Sequence, residues 1–227
     1  MIGAMQTGRR AVQEVQVELA DIAARTRTDK GRSRIEYVKR DGTTVYQAAK
    51  RHTDTYARFF THLRTEPIRL LEIGVASGAS LRMWEAFFPR ARIIGVDVSE
   101  SARRHAGERT SIHIGDQCDI AFLDALGRAE GPFDIVIDDG GHRMEQHRTS
   151  LEVLWPHVAD GGYYAVEDLL TAYQPQYGGG YLHKDSTIER LKQQIDAIND
   201  QAQAPRLVEG VGAVWFAPGL ALLCKAA

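Results

Sequence analysis

Six carboxylates fall at or beside the C-terminal ends of short apolar runs: Glu72, Asp97, Asp138, Asp139, Glu167 and Asp168. Charges placed by chance land more often on solvated helix faces. Runs that carry their acids to one rim build a cluster of negative charge that is costly unless something positive binds there. A metal ion, a cationic cofactor or both is the implied partner. Asp139, Glu167 and Asp168 form the tightest set, since the runs they end are predicted to be neighbouring strands. Three oxygen ligands suit Mg²⁺ or Mn²⁺ rather than Zn²⁺. His142 follows in Asp138-Asp139-Gly140-Gly141-His142, just ahead of a helical pattern, where a neutral imidazole can take a proton near pH 7. The plainer readings are carboxylates that cap helices or pair with arginines, and a histidine that merely faces water.

A second constellation opens at Glu72-Ile73-Gly74-Val75-Ala76-Ser77-Gly78-Ala79-Ser80. Glycines in a strand-to-helix turn let a ligand approach the backbone, and Ser80 is placed to cap the helix that follows. The spacing from Gly74 to Gly78 is not the G-x-G-x-x-G that cradles a pyrophosphate, so a nucleoside without phosphates fits better than a dinucleotide, and a dehydrogenase is disfavoured. Asp97 ends the next strand, where a carboxylate can accept both hydroxyls of a ribose.

The elements that must position these residues are strands alternating with helices. Strands are predicted at 68–73, 91–97, 111–114, 133–139 and 161–168, with helices at about 80–87, 120–126, 144–155 and 186–200. Residues 210–217 and 220–225, joined by Pro218-Gly219, read as an antiparallel hairpin. The fold class is α/β, a mostly parallel doubly wound sheet that places ligands at the carboxyl ends of its strands. Ahead of it, Val12, Val15, Leu19, Ile22 and Ala23 trace a helical stripe, Thr28-Asp29-Lys30-Gly31 breaks it, and a second helical pattern runs over 45–63. The expected organisation is a helical appendage over 1–64, a lid or an interface, and a catalytic domain over 65–227.

Composition bounds the partners. The chain has 227 residues, 28 Lys plus Arg against 30 Asp plus Glu, and a formal charge of −2. A basic nucleic-acid binder is not the default reading. Two cysteines, Cys118 and Cys224, imply no disulfide framework. No apolar run reaches the length of a membrane span and the first residues lack a signal-peptide core, so a soluble cytoplasmic protein without membrane partners is expected.

Leu70-Leu71-Glu72-Ile73-Gly74, Gly115-Asp116-Gln117, Asp138-Asp139-Gly140-Gly141-His142, Glu167-Asp168 and Thr171-Ala172-Tyr173 with Gly178-Gly179 together resemble the metal-dependent sugar O-methyltransferases of antibiotic biosynthesis, over about 68–199. Thr28-Asp29-Lys30 echoes a segment of that family ahead of its catalytic domain. The resemblance implies a Rossmann-like class I S-adenosylmethionine-dependent methyltransferase with a seven-stranded sheet. It implies that Asp139, Glu167 and Asp168 bind Mg²⁺, that His142 is the general base, and that Glu72, Gly74, Gly78, Ser80, Asp97, Asp116, Gln117 and Asp138 line the cofactor. Two departures stand out: Gly141 occupies a position where the family usually has serine, and the chain is too short for the family's large N-terminal auxiliary domain. A homo-oligomer is expected, its order left open.

The expected function is methylation of a sugar hydroxyl on a small-molecule glycoside. Tyr173, Tyr177 and Tyr181 in a Gly-rich stretch could wall the acceptor, and His52, His62 and His183 are further acceptor-site candidates. The rivals are a catechol-like phenol as acceptor and a non-catalytic module that binds S-adenosylmethionine without turnover. An iron-dependent oxidative enzyme is poorly supported, because only His142 stands among the carboxylates.

Overall fold

The computed structural model describes residues 2–32, 35–38, 44–47, 49–200 and 205–227, with side chains described over 14–32, 49–200 and 205–227. The chain divides into two compact units, residues 1–67 with 78–91 and residues 68–77 with 92–227.

The first unit holds α1 (Ile2–Thr26), a two-stranded antiparallel sheet of β1 (Ile35–Val38) and β2 (Thr44–Gln47), α2 (His52–Phe60) and α3 (Ala79–Phe87). The helical pattern expected over 45–63 is corrected here: its first residues form β2, and the helix starts at His52. Thr44, Val45 and Tyr46 are β-branched or aromatic, so local propensity favours a strand there. On the α1 stripe Leu19, Ile22 and Ala23 are buried and Val15 is half-buried; Val12 lies outside the described side chains. These residues share an aromatic core with Tyr56, Phe60, Trp84, Phe87 and Phe88, in which Tyr56 stacks on Phe60 and meets the Trp84 ring edge-on.

The second unit is a seven-stranded sheet. Its strands are β3 (Arg69–Ile73), β4 (Arg92–Asp97), β5 (Thr110–Ile114), β6 (Phe133–Asp138), β7 (Val158–Val166), β8 (Val211–Ala217) and β9 (Leu220–Lys225), in spatial order β5-β4-β3-β6-β7-β9-β8. The first five are parallel, and β9 pairs antiparallel with both β7 and β8. Apolar residues on both faces of β3, β4 and β6 are buried, as a central parallel sheet requires. Among the described residues of this unit the α-helices are α4 (Ile120–Glu130), α5 (Met144–Leu154) and α6 (Thr187–Asn199). Asp119 caps α4 by accepting from Phe122 N–H, and Ser186 caps α6 by accepting from Glu189 N–H. The core runs from Leu71, Ile94 and Val136 through Leu123, Leu151 and Trp155 to Leu191 and Leu223. The order of strands reverses between β3 and β6, where chain crossovers depart in opposite directions, and the carboxyl ends at that point are where such a sheet opens a crevice. No helix among the described residues is long and apolar enough to cross a membrane.

Candidate active site

The loop after β6 is held from beneath. Asp138 is fully buried, and its carboxylate accepts from the Gln117 amide at 3.2 Å, the Gly140 N–H at 3.4 Å, the Tyr164 hydroxyl at 3.4 Å and the Ser150 hydroxyl. The other end of the Gln117 amide accepts from Gly141 N–H at 2.7 Å. Gln117, itself 4% exposed, therefore ties the loop after β5 to the loop after β6. Burial beside the Asp138 charge pushes the Tyr164 phenol well above its ordinary pKa, so it serves as a donor throughout the working range. Asp138 and Gln117, expected to line a cofactor, are thus engaged in protein hydrogen bonds that shape the Asp139–His142 loop.

Gly74 explains itself by packing. Its φ is +94°, and a Cβ there would stand 2.1 Å from the Asp139 carbonyl oxygen, so only glycine lets the turn after β3 pass this close to the loop after β6. Asp139 N–H in turn donates to Ile73 O at 3.0 Å. Asp97 braces the same turn: its Oδ2 accepts from the N–H groups of Val75 at 3.0 Å and Ala76 at 2.9 Å, and its Oδ1 from Ser99 N–H at 2.8 Å. Glu72 is fully buried in the middle of the sheet, opposite Gly95 and Ile137. Asp116 is exposed and accepts from Cys118 N–H at 2.8 Å. Gly78 and Ser80 belong to the first unit. There the helix cap is Gly78, with φ +68°, while Ser80 sits inside α3 and caps nothing, which corrects its expected role.

Beyond this scaffold Asp139, His142 and Asp168 converge. One ligand atom from each lies within 4.8 Å of the others, and all three residues are half-buried. His142 Nε2 stands 3.2 Å from Asp168 Oδ2. Both residues have left-handed backbones, φ +58° for His142 and +52° for Asp168, a costly conformation for residues other than glycine that the surroundings must hold. Thr171 supplies part of that hold: its hydroxyl lies 3.0 Å from His142 O and 2.8 Å from Asp168 O. The Pro-Gly turn of the hairpin adds another contact, with Leu169 N–H donating to Gly219 O at 3.1 Å. Glu167 is not one of the three; it is fully buried next to Asp168, and its N–H donates to Asp138 O at 2.9 Å.

Two oxygen donors and an imidazole at one strand-end rim suit a hard divalent cation on the carboxylates with a proton acceptor alongside. Tyr173 and Tyr181 are exposed and Tyr177 is half-buried in the segment that follows, where Leu170 and Leu182 are exposed as well. His183 is exposed in that segment, whereas His52 is buried and His62 exposed in the first unit. Residues that sequence reasoning passed over are Ser150, Tyr164, His147 and Thr187; Thr171 stood in a quoted motif without a role. Each acts through a partner at least 12 residues away, except Thr171 on Asp168.

Residues 71–169 match the family described as a methyltransferase domain. Within those bounds the sequence has the pattern of a methyltransferase domain. The chain is 44% identical over 160 residues to the mycinamicin VI 2''-O-methyltransferase of Micromonospora griseorubida, a match spanning 66% of this chain and 40% of that protein. It is 43% identical over 136 residues to the 8-demethyl-8-(2-methoxy-alpha-L-rhamnosyl)-tetracenomycin-C 3'-O-methyltransferase of Streptomyces olivaceus, spanning 56% of this chain and 34% of that protein. Among solved structures, the MycE methyltransferase of the mycinamycin biosynthetic pathway, in complex with Mg, SAH and mycinamycin VI, superposes with a TM-score of 0.79 at 34% identity, over 92% of this chain and 54% of that one. The chain is therefore similar to sugar O-methyltransferases of antibiotic pathways, and its seven-stranded sheet has the class I methyltransferase fold with the antiparallel strands at its edge. The chain spans between about a third and a half of the length of these relatives.

Proposed function

We propose that this chain is an S-adenosylmethionine-dependent, Mg²⁺-dependent O-methyltransferase acting on a sugar hydroxyl of a glycosylated small molecule. The observation that carries this reading is the convergence of Asp139, His142 and Asp168 at the carboxyl end of a methyltransferase sheet. The relatives methylate glycosylated natural products by name, and the MycE complex holds Mg, SAH and a mycinamycin.

Asp139 and Asp168 would hold the cation, with Glu167 adjoining; oxygen donors favour Mg²⁺, and the imidazole is left for proton transfer. The turn at Gly74–Ala76, Asp97 and the exposed Asp116 would receive the nucleoside end of the cofactor. When bound, S-adenosylmethionine supplies an activated methyl group, and Mg²⁺ supplies charge that favours the ionised form of an acceptor hydroxyl. His142 Nε2 takes the proton of that hydroxyl, and the Asp168 carboxylate 3.2 Å away stabilises the imidazolium that results. Thr171 keeps the His142 and Asp168 backbones in register, so base and carboxylate approach the acceptor as one unit. Leu170, Tyr173 and Tyr181 offer exposed apolar and aromatic surface for the glycoside.

Calorimetric titration of S-adenosylmethionine, and of Mg²⁺ into wild type and Asp139→Asn, tests the assignment. Cofactor binding by both proteins with Mg²⁺ binding lost in the variant supports it. Absence of cofactor binding in the wild type would overturn it.

A further inference from the structure

Gln117 lies in the turn between β5 and α4, buried, directly after the exposed Asp116. The turn is tight: Asp116 Oδ1 accepts from Cys118 N–H at 2.8 Å, and Asp116 O from Asp119 N–H at 3.0 Å. Just before it, Gly115 N–H donates at 3.0 Å to the carbonyl of Asp97, whose carboxylate braces the turn after β3. The donors and acceptors fix which way the Gln117 amide points. Gly141 N–H can only donate, so the end 2.7 Å from it is Oε1, and Nε2 is left to donate to Asp138 Oδ1 at 3.2 Å. Gly141 stands in the chain between Asp139 and His142. A Cβ on Gly140 would lie 2.1 Å from Gln117 Oε1, so the amide rests against bare backbone there. Neither loop can shift far without the other.

We infer that Gln117 is a positioning residue that couples the loop after β5 to the Asp139–His142 loop, so that cofactor and cation each bind more tightly when the other is present. The inference rests on the proposed function, in which Asp97 and Asp116 face the nucleoside and Asp139 holds the cation. Fixing Asp116 on a nucleoside fixes the backbone of the tight turn and with it the root of the Gln117 side chain. The buried amide then holds Gly141 N–H and Asp138 in place, because pulling a buried amide off its partners is costly. Whichever ligand binds first orders this shared amide, and the second meets a loop already set. Linkage makes the effect equal in both directions.

The test is a double titration of the full chain. S-adenosylhomocysteine, whose neutral sulfur avoids charge repulsion with a cation, is titrated with and without saturating Mg²⁺ into wild type and Gln117→Met, a side chain of similar length without the amide. Wild type is expected to bind it roughly 5- to 10-fold more tightly with Mg²⁺. In Gln117→Met that ratio should fall to within about twofold of unity, even where both affinities drop. A side chain that only supports the fold would weaken both affinities and leave the ratio unchanged, and that result overturns the proposal, as does a wild-type ratio of unity. A second readout needs no variant and decides the matter if Gln117→Met does not fold. Hydrogen exchange of the Gly141 amide in wild type should slow several-fold on adding S-adenosylhomocysteine alone, and an unchanged rate overturns the coupling. Absence of S-adenosylhomocysteine binding in the wild type would defeat the methyltransferase reading and this inference together, whereas binding without coupling defeats this inference alone.

Discussion

Gly74→Ala sets the packing argument against a control within the same unit. The new Cβ would lie 2.1 Å from Asp139 O, and ordinary contact begins at 3.4 Å, so the Asp139 backbone must retreat by about 1.3 Å. Adopting φ +94° with a side chain costs about 1–2 kcal/mol, and forcing the contact apart about 1–3 kcal/mol more, for a total of about 2–5 kcal/mol. Gly161 has φ +74° and nothing within 4 Å of the same construction, so Gly161→Ala should carry only the backbone cost, about 1–2 kcal/mol. Metal sites tolerate displacements of only about 0.2 Å in ligand distance, so the shift at Asp139 should also weaken Mg²⁺ binding, by roughly 10- to 100-fold. Urea denaturation of both variants, with calorimetry of Mg²⁺, separates the two effects. Gly74→Ala matching Gly161→Ala in stability, with Mg²⁺ affinity within about twofold of wild type, would refute the account of how β3 and β6 place Asp139.

Thr171→Val keeps the shape but removes the hydroxyl beside His142 O and Asp168 O; stability should fall by about 0.5–1.5 kcal/mol in denaturant melts, and turnover roughly 10-fold through looser placement of the base. Gly141→Ser would place a Cβ 2.3 Å from Gln146 Oε1, a flexible side-chain end that can swing away. The variant should then lose the 3.1 Å bond from Arg143 N–H to Gln146 and about 0.5–2 kcal/mol, a loss absent when the same change is made in Gln146→Ala. Burial lowers the pKa of His147, so below about pH 6.5 the unfolded chain binds the proton that the folded chain refuses, and stability falls as pH drops until the folded-state value is passed. Thermal melts against pH should therefore show a shallower acid-side decline in His147→Gln than in wild type.

The strand ends were the legible part of this chain. Each parallel strand is a short apolar run stopped by an acid or a glycine, and in β3, β4 and β6 such runs survive tertiary context because both faces are buried; β3, β4, β5 and β6 lie close to their predicted spans. The antiparallel hairpin was equally plain from Pro218-Gly219. The segment over 45–51 misled because its apolar spacing fits a helix while Thr44, Val45 and Tyr46 favour a strand, and the antiparallel partner at 35–38 is invisible to periodicity. At the site, acids at strand ends pointed to Asp139, Glu167 and Asp168 with His142 beside them, and one ligand atom each of Asp139, His142 and Asp168 lies within 4.8 Å of the others; the buried supports had no such signal. Asp138 and Gln117, expected to line the cofactor, also bond to one another, and their other partners, Ser150, Tyr164 and Gly141, are remote enough in sequence that no spacing rule joins them. Asp97 was read as a ribose acceptor, and its three bonds to backbone N–H groups of the turn had no signature in the strand pattern.

The central claim is methyl transfer to a sugar hydroxyl by a base and a carboxylate-held cation. The most direct measurement is transfer of an isotope-labelled methyl group from S-adenosylmethionine to a panel of rhamnosyl and other deoxysugar glycosides, with Mg²⁺ or with EDTA, in wild type, His142→Ala and Asp139→Asn. The account expects label on a sugar oxygen in wild type with Mg²⁺, and loss of transfer with EDTA and in both variants. Transfer that persists in EDTA and in Asp139→Asn would contradict it.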